Sequence, residues 1–517
     1  MRSILFLILA ASVCFVFAQT EAVLDANNTS IIVGGRGQFI LNYGVPSYTI
    51  PKTETGIKKS TLFSSTLWLG GLDDDDKIHL AASLYGSHKG QDFWNGPSSK
   101  NPLLANAKYN KSWVVSQSDI IAHQTDYSLA TNDILTWPGN GDTLNGEPWL
   151  LAPFVDKNNN GKYEPLLGDY PKIKGFIAAY CIYNDNQGNH TLSKSEPLNI
   201  DVHQLFYQEE KGASGGVFDH TNLGWIKIVN RSNNKYHDLR VGIFMDADVG
   251  YGYDDFMGTD TLRNLSYAYN GDNYDEGETG YGLNPPAQGV KFLNQKMYAS
   301  VVIPNNSGII GIPDTATHFY NYLGGKDKLN NYFTTHLEHS TPDSLFSPFV
   351  YAGDPTKGES YTEISNNGSP KNAINLASIG PFTLPPNESI CFDIAYIYGR
   401  STFGGNLQSI VAMRDVAEHV QFAYNQDYNG WKSYECQEKV IASIEESQSK
   451  TIKIYPNPTT GIATVTLPNN ETFEVYNALG EQLIDVKKAE NQIELTECAN
   501  GLYFVKTRFG SYKLIKY

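Results

Sequence analysis

Apolar and polar residues alternate through most of this chain, in short runs broken by Gly, Pro, Asn and Asp, which is the pattern of β-strands and turns. Residues 61–72 (TLFSSTLWLGGL) and 78–84 (IHLAASL) flank four aspartates and a lysine and predict a hairpin with an acidic tip. Further strands are expected at 176–183, 223–230, 239–245, 297–303 and 389–398. One helix is expected at about 406–424. Its apolar residues Leu407, Ile410, Val411, Val416, Val420 and Phe422 fall near a 3.6-residue period. The fold class is therefore mainly β: a large body rich in β-sandwich with few helices, possibly two packed subdomains. A polar stretch without aromatics, residues 435–451, reads as a linker. After it, short strands at 452–455, 462–467, 472–476, 482–486, 492–495, 502–506 and 512–517 predict a second, small β-sandwich.

The N-terminus adds a different signal. Arg2 precedes an apolar run over residues 4–17, and Val16 and Ala18 are the small residues before a cut at Ala18–Gln19. Residues 1–18 thus read as a signal peptide, and residues 19–434 as the secreted body. The apolar run is too short for a spanning helix. Val13 before Cys14 disfavours a lipid anchor, and no other segment is apolar enough to span a membrane.

Composition supports an extracellular β-protein: 33 Tyr and 24 Phe, 46 Gly and 24 Pro, but only 5 Met. The net charge is −16, and loss of Arg2 with the signal peptide makes it −17. So acidic a chain repels nucleic acid and suits solubility and cation binding. Of the cysteines beyond Cys14, namely Cys181, Cys391, Cys436 and Cys498, none forms a C-x-x-C pair. Export permits disulfides, and buried free thiols fit the wide spacing equally well.

The most specific chemical signal is Asp156-Lys-Asn158-Asn-Asn160-Gly161-Lys162-Tyr163-Glu164. Oxygen side chains at positions 1, 3 and 5 before a Gly at 6 match the start of an EF-hand-type calcium loop, with the Lys162 carbonyl at position 7. Position 12 is Leu167 instead of Glu, so Asp169 or Glu164 is expected to close the site. Calcium bound here would be structural. A second candidate metal site is the cluster Asp246, Asp248, Asp254, Asp255 and Asp260, followed by Asp272, Asp275 and Glu276. So many nearby carboxylates repel one another without a cation or free solvation. The same carboxylates could supply a glycosidase acid pair. Gly212-Ala-Ser214-Gly-Gly216 imitates a protease nucleophile loop but lacks the partners that activate Ser.

Two resemblances follow from longer motifs. KIYPNPTTG, VYNALGEQL, ANGLYFVKT and the terminal KLIKY, within residues 452–517, closely resemble the type A sorting domain of the type IX secretion system. The resemblance implies passage through periplasm and outer membrane, recognition by the translocon, and cleavage by its processing peptidase. It also implies release or attachment to surface lipopolysaccharide. The phrases LWLGGLDDDDKIHLAA, WLLAPFVDKNNNGKYEPLLGDYP, MDADVGYGYDDFMGTD and ASIGPFTLPPNES resemble large secreted Bacteroidota proteins over roughly residues 67–400. That likeness implies export and shared architecture, and no particular activity. Four D-[ST]-aliphatic triplets, beginning at Asp142, Asp260, Asp314 and Asp343, resemble the O-glycosylation motif of these bacteria. The expected role is a secreted or cell-surface, calcium-stabilised protein that binds surfaces or glycans without catalysis. The alternative is a secreted polysaccharide-acting hydrolase.

Overall fold

A computed structural model describes residues 22–517 except 42–46, 53–55, 87–88, 213–215, 336–345, 435, 437–452, 467–472, 479, 484–487, 490–491 and 508–509. The signal peptide, Ser214, the triplet at Asp343 and nearly all of the linker lie outside the described residues. The chain divides into two compact units, Met1–Glu438 and Lys439–Tyr517.

In the first unit the main elements are β1 (Ser64–Leu72), β2 (Ile78–Ala82), β3 (Ile177–Asn184), β4 (Ile200–Gln208), β5 (Asn222–Asn230) and β6 (Tyr236–Asp246). They continue with β7 (Asp255–Asp260), β8 (Leu265–Asn270), β9 (Ala287–Phe292), β10 (Met297–Pro304), α1 (Ala316–Leu323), β11 (Ala373–Leu384), β12 (Ser389–Gly399) and α2 (Gly405–Asn425). A nine-stranded sheet runs β7-β8-β9-β12-β5-β4-β3, with short strands Trp94–Asn95 and Trp113–Ser116 both pairing with β3. A six-stranded sheet runs β10-β11-β6-β1 to Gln38–Leu41, with β2 paired to β1. All of these pairings are antiparallel.

The two sheets share one core. Phe206, Ile228, Ile394 and Tyr396 from the larger meet Leu67, Ile243, Ile374 and Ala377 from the smaller. A second core covers the other face of the larger sheet: Ile397 joins Ile410, Met413, Ala417 and Val420 of α2, while Tyr180 packs against Trp113 and Trp137, Tyr207 against Trp431 and Trp225 against Tyr434. These α2 residues recur at helical spacing, whereas Phe422, expected on the buried stripe, is 67% exposed. Being covered on both faces, the central strands lose polar alternation. Every residue of β4, IDVHQLFYQ, is buried, and its periodicity announces no strand.

α1 lies on the outer face of the smaller sheet, with Phe319 edge-on to Trp68 at 4.6 Å. The close approach needs Gly242 in β6: a Cβ there would stand 2.6 Å from Leu323 Cδ2. The expected acidic-tip hairpin is β1–β2, in which Leu72 pairs with Ile78 and Asp73 accepts the amides of Asp75 and Lys77. Cys391 and Cys436 are joined in a disulfide that fastens the segment after α2 to β12, while Cys181 and Cys498 are free.

In the second unit one sheet holds Lys453–Tyr455, Ile462–Thr466, Gln492–Glu494 and Lys488–Ala489. The other holds Glu474–Asn477, Gly501–Thr507 and Gly510–Lys516. Ala463, Val465 and Ile493 from one meet Val475, Val505 and Leu514 from the other in a small core. The strand expected at 482–486 is represented, among described residues, by an isolated bridge from Gln482 to Tyr476.

Candidate metal centres and an aromatic depression

The loop 156–169 is closed by a two-stranded ladder in which Val155 pairs with Tyr170. Its short polar side chains fold back onto their own backbone, as Asp and Asn do in turns. Asp156 accepts the amides of Asn160 (3.3 Å) and Gly161 (2.7 Å), and Asn158 accepts that of Asn160 (3.1 Å). Asn160 in turn accepts the Lys162 amide at 2.8 Å. Asn159 and Gly161 take φ of 57° and 75°, the left-handed region where Asn and Gly are tolerated. Asp169, expected as a ligand, is fully buried and clamps the loop ends by accepting the amides of Lys157 (2.9 Å) and Glu164 (2.7 Å). Glu164 instead stays at the solvent-facing side of the loop, where it accepts from Asn160 Nδ2 at 2.7 Å and pairs with Lys162 at 2.8 Å. The Lys162 ammonium beside it holds the Glu164 carboxyl below the usual range.

The second acidic set breaks into parts. Asp260 sits at the far end of β7, ion-paired to Arg263 and Arg414 at 2.9 Å each, and is no part of a cluster with Asp246. The guanidinium pairs explain the separation: a carboxylate so neutralised needs no metal. Asp275 accepts the amides of Tyr251 and Tyr281, fixing the turn after β6. Asp246, Asp248, Asp254 and Asp255 remain. Asp246 and Asp255 are buried, and each of the four has at least one buried side-chain oxygen without a hydrogen-bond partner. Burial pushes the Asp246 carboxyl far up, and raises Asp248 and Asp254 to about 7 each. Among the described residues no three His, Cys, Asp or Glu side chains converge so as to hold a metal by themselves.

Two hydroxyls that sequence reasoning missed join this region. Ser64 of β1 stands directly opposite Asp246 of β6, and its buried Oγ is unpartnered. The Tyr85 ring packs edge-on to Phe244 at 5.7 Å, on the same face as Asp246, and its hydroxyl is also unpartnered. Only the register of β1 against β6 could have revealed Ser64.

A depression of about 700 Å³ lies beside the loop 156–169. Tyr109, Trp113, Trp137, Trp149 and Tyr163 contribute to its walls, with Asn132 and Asn140 among them. Trp149 is 40% exposed, and its Nε1 donates to the Gly161 carbonyl at 3.0 Å. Asn140 donates to the same carbonyl at 3.0 Å. The lysines at the mouth are each countered: Lys108 by Glu147 (3.4 Å), Lys111 by Asp133 (2.7 Å), Lys162 by Glu164 (2.8 Å). Of the described D-[ST]-aliphatic triplets, Thr143, Thr261 and Thr315 are all exposed.

Comparison with known proteins informs mainly the tail. Residues 453–517 match the family described as secretion system C-terminal sorting domain. The curated proteins contain no match. Among solved structures a polysaccharide lyase matches at 9% identity and TM-score 0.21, over 71% of this chain and 37% of that one. The chain thus spans little more than a third of that lyase. The sorting domain makes the chain a cargo of the type IX secretion system, exported to the cell surface or extracellular space. It also implies contact with the secretion machinery. Among described residues no helix is long and apolar enough to cross a membrane.

Proposed function

We propose that this exported chain is a calcium-stabilised, non-catalytic β-protein that binds neutral glycans at the cell exterior. The observation that carries the reading is Trp149: an exposed indole tied to the loop 156–169 through the Gly161 carbonyl. A sugar presents an apolar face that covers an aromatic ring, and hydroxyls that need nearby donors and acceptors. The depression has the size of a ligand site, and Asn132, Asn140 and the paired lysines supply polar groups. Because each lysine is neutralised, the mouth suits an uncharged sugar better than a polyanion, lipopolysaccharide phosphate included. The hydrolase reading draws less support, since Asp246, Asp255 and Asp275 of its candidate carboxylates lie buried.

Calcium enters this reading through Asp156, Asn158, Asn160, the Lys162 carbonyl and Glu164, with Asp169 holding the loop ends. An ion there would fix the turn that presents Gly161 to Trp149. Two neutral Asn ligands weaken the site toward the extracellular range of about 10⁻⁴–10⁻³ M. Binding to the folded state alone adds about 2.7 kcal/mol at a hundredfold excess over Kd. Asp156→Ala should remove the loop's share of the calcium-dependent rise in thermal midpoint, and Lys157→Ala should keep it. A full calcium response surviving Asp156→Ala would exclude the loop.

Glycan binding is tested by affinity electrophoresis through gels containing neutral polysaccharides. Wild type should be retarded in at least one, and Trp149→Ala should weaken that retardation about tenfold, the loss of roughly 1.4 kcal/mol of stacking. Equal retardation of Trp149→Ala, or none for wild type in any such gel, would reject the reading.

A further inference from the structure

The rim of the sandwich where β1 begins and β6 ends holds a group of buried polar oxygens that none of the preceding roles uses. Its members come from distant parts of the chain. Ser64 and Asp246 are directly paired across the β1–β6 ladder, and Ser64 Oγ and one Asp246 oxygen are buried without hydrogen-bond partners. The Tyr85 hydroxyl reaches the same place over Phe244 and is directed at Asp246, without completing a hydrogen bond to it. Asp248, two residues beyond Asp246, adds another buried orphaned oxygen. That oxygen is pressed against the returning turn, where a Cβ on Gly252 would stand 2.2 Å away. Asp255 lies close behind: its one engaged oxygen accepts the Val249 amide at 2.9 Å and the other is unpartnered.

A buried polar atom without a partner costs about 1–3 kcal/mol, and more when charged. Four such oxygens in one place, from Ser64, Tyr85, Asp246 and Asp248, are costly unless something binds them. A cation satisfies them together, because every one is an oxygen that can point a lone pair inward. A water could bridge up to four such groups, but would leave the carboxylates' mutual repulsion in place. No Lys or Arg is hydrogen-bonded or ion-paired to Asp246 or Asp248 among the described contacts. We propose that Asp246 and Asp248, completed by the Ser64 and Tyr85 hydroxyls, backbone and water, bind a hard divalent cation, calcium, at the rim of the sandwich. Oxygen-only, partly anionic donor sets of this kind select calcium over softer metals. The ion would join β1, β6 and the segment after β2, and so lock the turn that leads into β7. This site is separate from the loop 156–169 and stands whether or not that loop binds calcium.

The test uses the full mature chain in the Asp156→Ala background, so that failure of the loop and failure of the rim are read apart. Calcium alone is titrated by calorimetry, and thermal unfolding is followed in calcium and in chelator. The expected result is one remaining calcium ion per chain and a rise in midpoint, both lost in Asp248→Asn. Asp246→Asn/Asp248→Asn, which removes buried charge without changing shape, should match or exceed its parent in chelator and show no gain in calcium. That opposite sign keeps the test readable, since a merely misfolded variant would fall in both conditions. As a second readout, Tyr85→Phe should weaken calcium binding several-fold while leaving the fold intact. No calcium bound in the Asp156→Ala background, or binding unchanged by Asp248→Asn, would overturn the site.

Discussion

A chain truncated before Lys453 should fold, reach the periplasm and go no further. The two cores of the body are built from residues between Ala22 and Tyr434. The sorting domain has a core of its own. Removing residues 453–517 therefore deletes no body core residue, and the thermal midpoint of the body should move by no more than a degree or two. The effect on export should be nearly complete, because the deleted segment is the matched sorting domain. Fractionation of cells and medium, with calorimetry of the periplasmic protein, checks both halves. Normal amounts of truncated protein in the medium would contradict the assignment.

Trp431→Ala should cost about 3–5 kcal/mol, the range for deleting a buried Trp. Against a total stability of about 5–15 kcal/mol, that brings the body close to unfolding. Trp431 is fully buried on the outer face of the larger sheet, edge-on to Phe218 at 5.3 Å and to Tyr428 at 5.4 Å. Its Nε1 donates to Glu209 at 2.7 Å. Burial already raises the Glu209 carboxyl above its usual range, so losing this donor strands it further. Trp431→Phe separates the terms: it keeps most of the ring and loses the hydrogen bond, and should cost about 1–3 kcal/mol. Urea denaturation of the three proteins gives the comparison. Equal stabilities for wild type and Trp431→Ala would show that α2 and the segment after it do not seal this face.

Strands dense in β-branched and aromatic residues, and the long helix, were legible in the sequence. The segments at 223–230 and 389–398 became β5 and β12 almost residue for residue, and 406–424 became α2. β4 was not legible because the buried polar residues Asp201, His203, Gln204 and Gln208 interrupt its apolar run, whereas the equally buried β5 is almost unbroken. The helix stripe was read partly wrong at Phe422, because α2 turns Met413 and Ala417 inward instead. At the sites, local spacing was informative and long-range register was not. Asp156 to Glu164 form a turn readable in nine consecutive residues. Asp260 looked like a member of the acidic group, but its arginine partners Arg263 and Arg414 include one from α2. Ser64 and Tyr85 have no motif at all, and only strand pairing and ring packing bring them to Asp246.

The central claim, that calcium holds the exported body in its folded state, is tested most directly by calorimetry of the mature full-length protein. Unfolding is recorded in tens of millimolar calcium and again after exhaustive chelation. Two structural ions predict a midpoint several degrees higher in calcium, restored on adding calcium back and not on adding magnesium, which resists such irregular, partly dehydrated sites. Identical midpoints in calcium and chelator would contradict the account.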